Sequence, residues 1–130
     1  MAPMSLLLVL ALQLLMCNRA SSSPSIPITG DGEALRSLIG PLSSQQTNIF
    51  ASWNDSLSYC RWPGVFCGGH KHPNRVIGLK LDSSGLTGSI PPSISNLTFL
   101  RYLTLADNRL HSDIPVGLCC LPRLRYINLS

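Results

Sequence analysis

The sequence predicts an α/β solenoid, a stack of short coils that each add one strand to a parallel sheet, closed at the N-terminal end by a helical cap. Two observations carry that prediction. Residues 75–130 repeat one apolar skeleton at a fixed period: Leu79, Leu103 and Ile127 are 24 residues apart, and so are Leu81, Leu105 and Leu129. The same period carries Leu86 onto Leu110, Ile90-Pro91 onto Ile114-Pro115, Ile94 onto Leu118, Leu97 onto Leu121 and Leu100 onto Leu124. Ahead of the repeat, Leu35, Leu38 and Ile39 form a helical stripe, and Ile49, Phe50 and Trp53 form the apolar face of a second short helical turn.

The second unit reads Leu100-x-x-Leu103-x-Leu105-x-x-Asn108-x-Leu110, which is the signature of a leucine-rich repeat. Strands are expected at 79–81, 103–105 and 127–129, stacked about 4.8 Å apart. Leucines then point inward, while the alternating residues line a concave face. The contact candidates on that face are Lys80, Asp82, Tyr102, Thr104, Tyr126 and Asn128. Asn108 falls where the chain leaves its strand, and its amide can satisfy turn backbone groups shut away from water. Ser84 holds that place one unit earlier and offers a single donor, so the first coil is expected to be less regular.

The segment Leu86-x-Gly88-x-Ile90-Pro91, echoed as Leu110-x-Ser112-x-Ile114-Pro115, resembles the plant-specific leucine-rich repeat, whose units carry L-x-G-x-I-P after the asparagine. Ser112 departs from that pattern and predicts a looser second strand in its unit. Upstream, Ser52-Trp53-Asn54 followed by Cys60-x-Trp62-x-Gly64-Val65-x-Cys67 resembles the N-terminal cap of the same family, in which the two cysteines are disulfide-bonded. The resemblance spans roughly residues 30–130 and follows plant leucine-rich-repeat receptor kinases. It implies a right-handed superhelix with a disulfide-stapled helical cap.

A cap answers a physical need, since a solenoid's first coil has one face without a neighbour. A Cys60–Cys67 bridge closing so short a loop would stabilise the fold by about 2.5 kcal/mol. Trp62 and Val65 are expected to pack inward beside it. The rival reading of these cysteines is a metal site with His70 and His72, but structural zinc favours closer cysteines, so the bridge is preferred and no metal is expected. Cys119 and Cys120 read as two small residues tucked into a return limb.

Residues 1–20 read as a signal peptide. The apolar run at 6–16 is about half of what crosses a bilayer, and it ends in small residues suited to cleavage after Ala20. Residues 21–29 are an extended leader, 30–74 the cap, and 75–130 two repeats and the start of a third. A first helix is expected to begin at Asp31, capped by its carboxylate, and to end at Gly40-Pro41. N-glycosylation sequons occur at Asn54, Asn96 and Asn128; the first two sit in expected loops, and Asn128 is a poor acceptor on the concave face.

Composition narrows the function. Only 12% of residues are charged and 45% are hydrophobic, which fits a small folded domain and excludes a disordered one. Ten Lys and Arg against six Asp and Glu give a net charge of +4, yet the basic residues are scattered along the chain, which argues against a nucleic-acid partner. No catalytic or nucleotide-binding motif occurs, including the kinase H-R-D and D-F-G, and no second stretch is apolar enough to span a membrane.

The resemblance therefore implies the start of a receptor-like kinase ectodomain: an extracellular scaffold for a protein or peptide ligand and a partner receptor, without cofactor or catalytic part. A secretory route to the cell surface follows. The alternatives are a secreted inhibitor resembling the polygalacturonase inhibitors, or a truncated product without independent activity. The third coil, ending after its strand, is expected to leave an open apolar edge and a marginally stable chain.

Overall fold

The computed structural model describes residues 30–44, 48–111 and 113–130. The expected signal peptide, the leader and Ser112 lie outside the described residues. In chain order the elements are helix α1 (Asp31–Arg36), β1 (Leu42–Ser44), 3-10 turns η1 (Ile49–Ser52) and η2 (Tyr59–Arg61), β2 (Val65–Gly68), β3 (His72–Lys80), β4 (Leu86–Gly88), η3 (Pro92–Asn96), β5 (Tyr102–Thr104), β6 (Arg109–Leu110), η4 (Val116–Cys120) and β7 (Tyr126–Asn128).

Two sheets enclose the core. The larger runs β2-β3-β5-β7, with β2 antiparallel to β3 and the remaining pairs parallel. Its register is the sequence period: Gly78 pairs with Tyr102 and Tyr102 with Tyr126, then Leu79 with Leu103 and Leu103 with Ile127. The smaller sheet runs β1-β4-β6, with β1 antiparallel to β4 and β4 parallel to β6. Here Thr87 pairs with Arg109 and Gly88 with Leu110, two residues out of step with the repeat, and β6 is the shorter strand. Return limbs η3 and η4 each follow a proline whose fixed φ suits helix entry.

Between the sheets, Leu79, Leu81, Leu86, Ile94, Leu97, Leu100, Leu103 and Leu105 are all at most 1% exposed. The cap closes one end of this stack with Leu35, Leu38, Leu42, Phe50, Trp53, Trp62 and Val65, all buried. Trp53 and Trp62 stack at 5.3 Å, and both indoles find acceptors, Trp53 Nε1 donating to the Pro63 carbonyl and Trp62 Nε1 to that of Asn54, each at 3.0 Å. Cys60 and Cys67 are disulfide-bonded, which takes both thiols from the rival metal reading.

Several sequence expectations need correction. Asp31 does not cap α1; Gly30 holds that position, and no side chain bonds there. The Asp31 carboxylate, 3% exposed, instead accepts from the Val76 backbone N–H at 2.7 Å and from Arg75 Nε at 3.2 Å, docking the cap onto β3. Helix α1 ends at Arg36, before the stripe is complete, and the turn at Gly40 (φ 111°) leaves Ile39 40% exposed. Cys119 is exposed rather than tucked away, because η4 turns Leu118 into the core in its place. Ile114, the repeat partner of buried Ile90, is 51% exposed.

Gly88 shows why its motif asks for glycine. Its φ is +102°, and a Cβ there would stand 2.0 Å from the Pro41 carbonyl oxygen, so the β1–β4 pairing depends on the missing side chain. Gly88→Ala is expected to destabilise the fold by about 3 kcal/mol in chemical denaturation; a variant as stable as the parent would contradict this packing. Asp31→Ala leaves the Val76 N–H buried without an acceptor. It is expected to cost about 2–3 kcal/mol, with the part-exposed Arg75 contributing the smaller share. Asp31→Asn keeps an acceptor and should cost clearly less; equal losses would show that the Val76 bond is not what docks the cap.

Candidate binding face

Alternation along each strand turns Leu79, Leu81, Leu103 and Leu105 inward and sends their neighbours to the open side of the four-stranded sheet. Because the register equals the repeat, the outward residues line up in rows across the strands. One row holds Phe66, Gly78, Tyr102 and Tyr126, a second Lys80, Thr104 and Asn128.

The first row is aromatic. Tyr102 leans across Gly78, where a Cβ would meet its ring within 1.9 Å, and its ring centroid lies 6.0 Å from that of Phe66. Phe66 is 45% and Tyr126 52% exposed, so the row presents apolar surface to solvent. Burial raises the pKa of the Tyr102 phenol above its ordinary value. Phe66 was missed at the sequence level because it belongs to the cap segment and lies outside the 24-residue period. Its antiparallel pairing with β3 is what adds it to the row.

The six contact candidates do not all remain available. Thr104 is 8% exposed, and its hydroxyl donates to Asp82 Oδ1, which also accepts from the Ala106 N–H at 2.8 Å. Asp82 and Thr104 are thus engaged with the sheet and with each other. Asn128 donates to the Tyr126 hydroxyl at 3.4 Å and accepts from Ser130 N at 3.2 Å. Lys80 and Tyr126 are exposed, and Tyr102 is half-buried.

The sheet also gathers cations that looked scattered along the chain. Arg101 immediately precedes β5 and Arg125 precedes β7, and the Arg125 N–H donates to the Arg101 carbonyl at 2.7 Å. Beside them His72, at the start of β3, lies edge-on to Phe99 at 4.8 Å. Its pKa is held below the ordinary imidazole value, first by desolvation and then by Arg123, Arg101, Lys71 and Arg75 around it. Among the described residues, no group of three or more His, Cys, Asp or Glu is placed to hold a metal ion. No helix there is long and apolar enough to cross a membrane.

Comparison with known proteins agrees with this architecture. Residues 28–68 match the leucine rich repeat N-terminal domain. The chain is similar to the LRR receptor-like serine/threonine-protein kinase EFR of Arabidopsis thaliana, 48% identical over 82 residues; the match covers 63% of this chain and 8% of that kinase. Among solved structures it resembles the BIR2 ectodomain of Arabidopsis thaliana, with TM-score 0.67 and 39% identity, covering 77% of this chain and 54% of that one. It also resembles the ectodomain of the Arabidopsis receptor kinase HAESA, solved with a peptide hormone ligand, with TM-score 0.66 and 27% identity over 77% of this chain and 16% of that one. The chain thus spans only a small part of the curated relatives it matches. With its stapled cap, its 24-residue register and its L-x-G-x-I-P turn, it resembles the N-terminal regions of plant leucine-rich-repeat receptor-like kinase ectodomains.

Proposed function

We propose that residues 30–130 cap and open an extracellular scaffold that binds a protein or peptide, as part of recognition and signalling and without catalysis of its own. The outward side of the four-stranded sheet would be the concave face of a right-handed superhelix. Residues 30–74 serve as its cap and 75–130 as its first repeats.

The observation that carries this reading is the aromatic row of Phe66, Tyr102 and Tyr126 on a rigid parallel sheet. Exposed aromatics on a fixed backbone bury much area at little entropic cost, which is the usual make-up of a binding hot spot. The peptide hormone bound by HAESA, on a similar scaffold, supports a ligand of the same class here. A partner receptor, as the other macromolecular contact, fits the same open sheet.

A cell-surface location agrees with the Cys60–Cys67 bridge, which persists in an oxidising compartment. Residues 1–20 would act as the secretion signal. Glycans are assigned to Asn54, which is exposed, and to Asn96, which is half-buried on the return limb. Asn128, tied to Tyr126 and Ser130, is a poor acceptor.

The test is selection of a random peptide library on the chain secreted from a eukaryotic host. Enriched peptides are expected to bind a Phe66→Ala/Tyr126→Ala variant at least about tenfold more weakly. The melting curve of that variant should stay close to the parent's, since both side chains are exposed. No enrichment, or equal binding to the variant, contradicts the proposed face.

A further inference from the structure

The register that stacks the leucines also stacks charge. Arg75, Phe99 and Arg123 stand 24 residues apart, one to each coil. The Arg75 guanidinium carbon is 4.2 Å from the Phe99 ring centroid and that of Arg123 is 4.0 Å away, so one ring carries two cations. Arg123 Nη1 also lies 3.5 Å from His72 Nε2. Lys71 directly precedes His72, and the Arg101 backbone N–H donates to the Ile77 carbonyl of β3 at 2.7 Å, which brings both into the cluster.

These cations are unequally compensated. Arg75 pairs with Asp31 and donates to the Thr98 hydroxyl at 2.7 Å. The other ion pairs among the described residues both involve Arg36, so Arg101, Arg123 and Lys71 have no carboxylate partner there. Like charges held side by side repel, and an anion arriving between them relieves that repulsion. Phe99 holds the Arg123 fork in place beforehand, which suits the planar, bidentate geometry of a carboxylate.

We infer that this band along the flank of the sheet is a docking surface for a carboxylate-rich segment of a protein or peptide. The inference rests on the binding-face reading above and adds the chemistry of the ligand. Arg101 directly precedes Tyr102 and Arg125 directly precedes Tyr126, so a single extended chain can lay apolar side chains on the aromatic row and acidic ones on the band. A nucleic acid fits less well, because Phe99, the aromatic ring within the band, already stacks against guanidiniums and is closed to a base.

Fluorescence anisotropy with labelled hexaglutamate on the secreted full chain tests this. Saturable binding is expected. It should weaken about tenfold in Arg101→Gln/Arg123→Gln and fall as salt rises from about 0.05 to 0.3 M. Arg61→Gln/Arg109→Gln removes the same charge from exposed positions outside the band and should bind like the parent. Equal loss in that control, or no saturable binding, overturns the inference. An oligogalacturonide or oligonucleotide of the same charge that binds as tightly as hexaglutamate overturns the peptide assignment. The Phe66→Ala/Tyr126→Ala variant retains every charge of the band. Failure of hexaglutamate to bind, while library peptides still need those two aromatics, removes the band and leaves the binding-face reading standing.

Discussion

Each repeat leaves its strand through a turn whose backbone groups face the interior, and between the first two coils the Asn108 amide satisfies them. Its Oδ1 accepts from Ser84 N at 3.1 Å and Leu86 N at 3.0 Å; its Nδ2 donates to the Leu81 carbonyl at 2.8 Å and the Leu105 carbonyl at 2.9 Å. With the Ala106 carbonyl, which accepts from Nδ2 at 3.2 Å, one side chain thus closes two donors and three acceptors belonging to both coils. Left unpaired in the interior, each would cost about 1–3 kcal/mol. Ser83 at φ 50° and Asp107 at φ 56° take the same left-handed place in the two turns, while Gly85 at φ 62° has no such counterpart at Arg109. A shift of one residue would break the amide's fit and turn every leucine of the strand outward.

The rest follows from holding that register. Leucines one period apart fall on one another and exclude water, and outward residues fall into rows, so a property repeated at 24 residues becomes a continuous stripe. Tyr102 and Tyr126 extend an aromatic row begun by Phe66 of the cap. Arg75, Phe99 and Arg123 make a column of alternating charge and ring. The cap is more than a lid, because Asp31 ties α1 to β3 and β2 continues the sheet. The surface at the cap end is therefore built jointly by cap and repeats.

The period, the inward leucines, the role of Asn108 and the packing of Trp62 and Val65 were legible in the sequence because each depends on spacing or on residue type alone. Asp31 was misread, because an acidic residue opening a helix has a local explanation, whereas its actual partner, Val76, is 45 residues away. Ile39 fitted the helical stripe, but the helix ends at Arg36, short of the expected stop at Gly40-Pro41, and Ile39 falls in the turn that follows. Phe66 and the basic band were hidden for opposite reasons. Phe66 enters its row by antiparallel pairing outside the repeat. The basic residues follow the period but look scattered until the chain is wound on it.

If the Asn108 joint and the Asp31 dock bind cap and coils into one body, the buried amides on both should open together. Hydrogen exchange read by NMR on the secreted chain measures this directly, through the N–H groups of Val76, Ser84 and Leu86 and of Leu81, which donates to the Thr104 carbonyl. The account predicts that all four exchange within about tenfold of one another and at the rate set by global unfolding. Val76 or Ser84 exchanging orders of magnitude faster than Leu81 would mean that the cap or the turn opens independently, and the account of a single capped, register-locked body would be wrong.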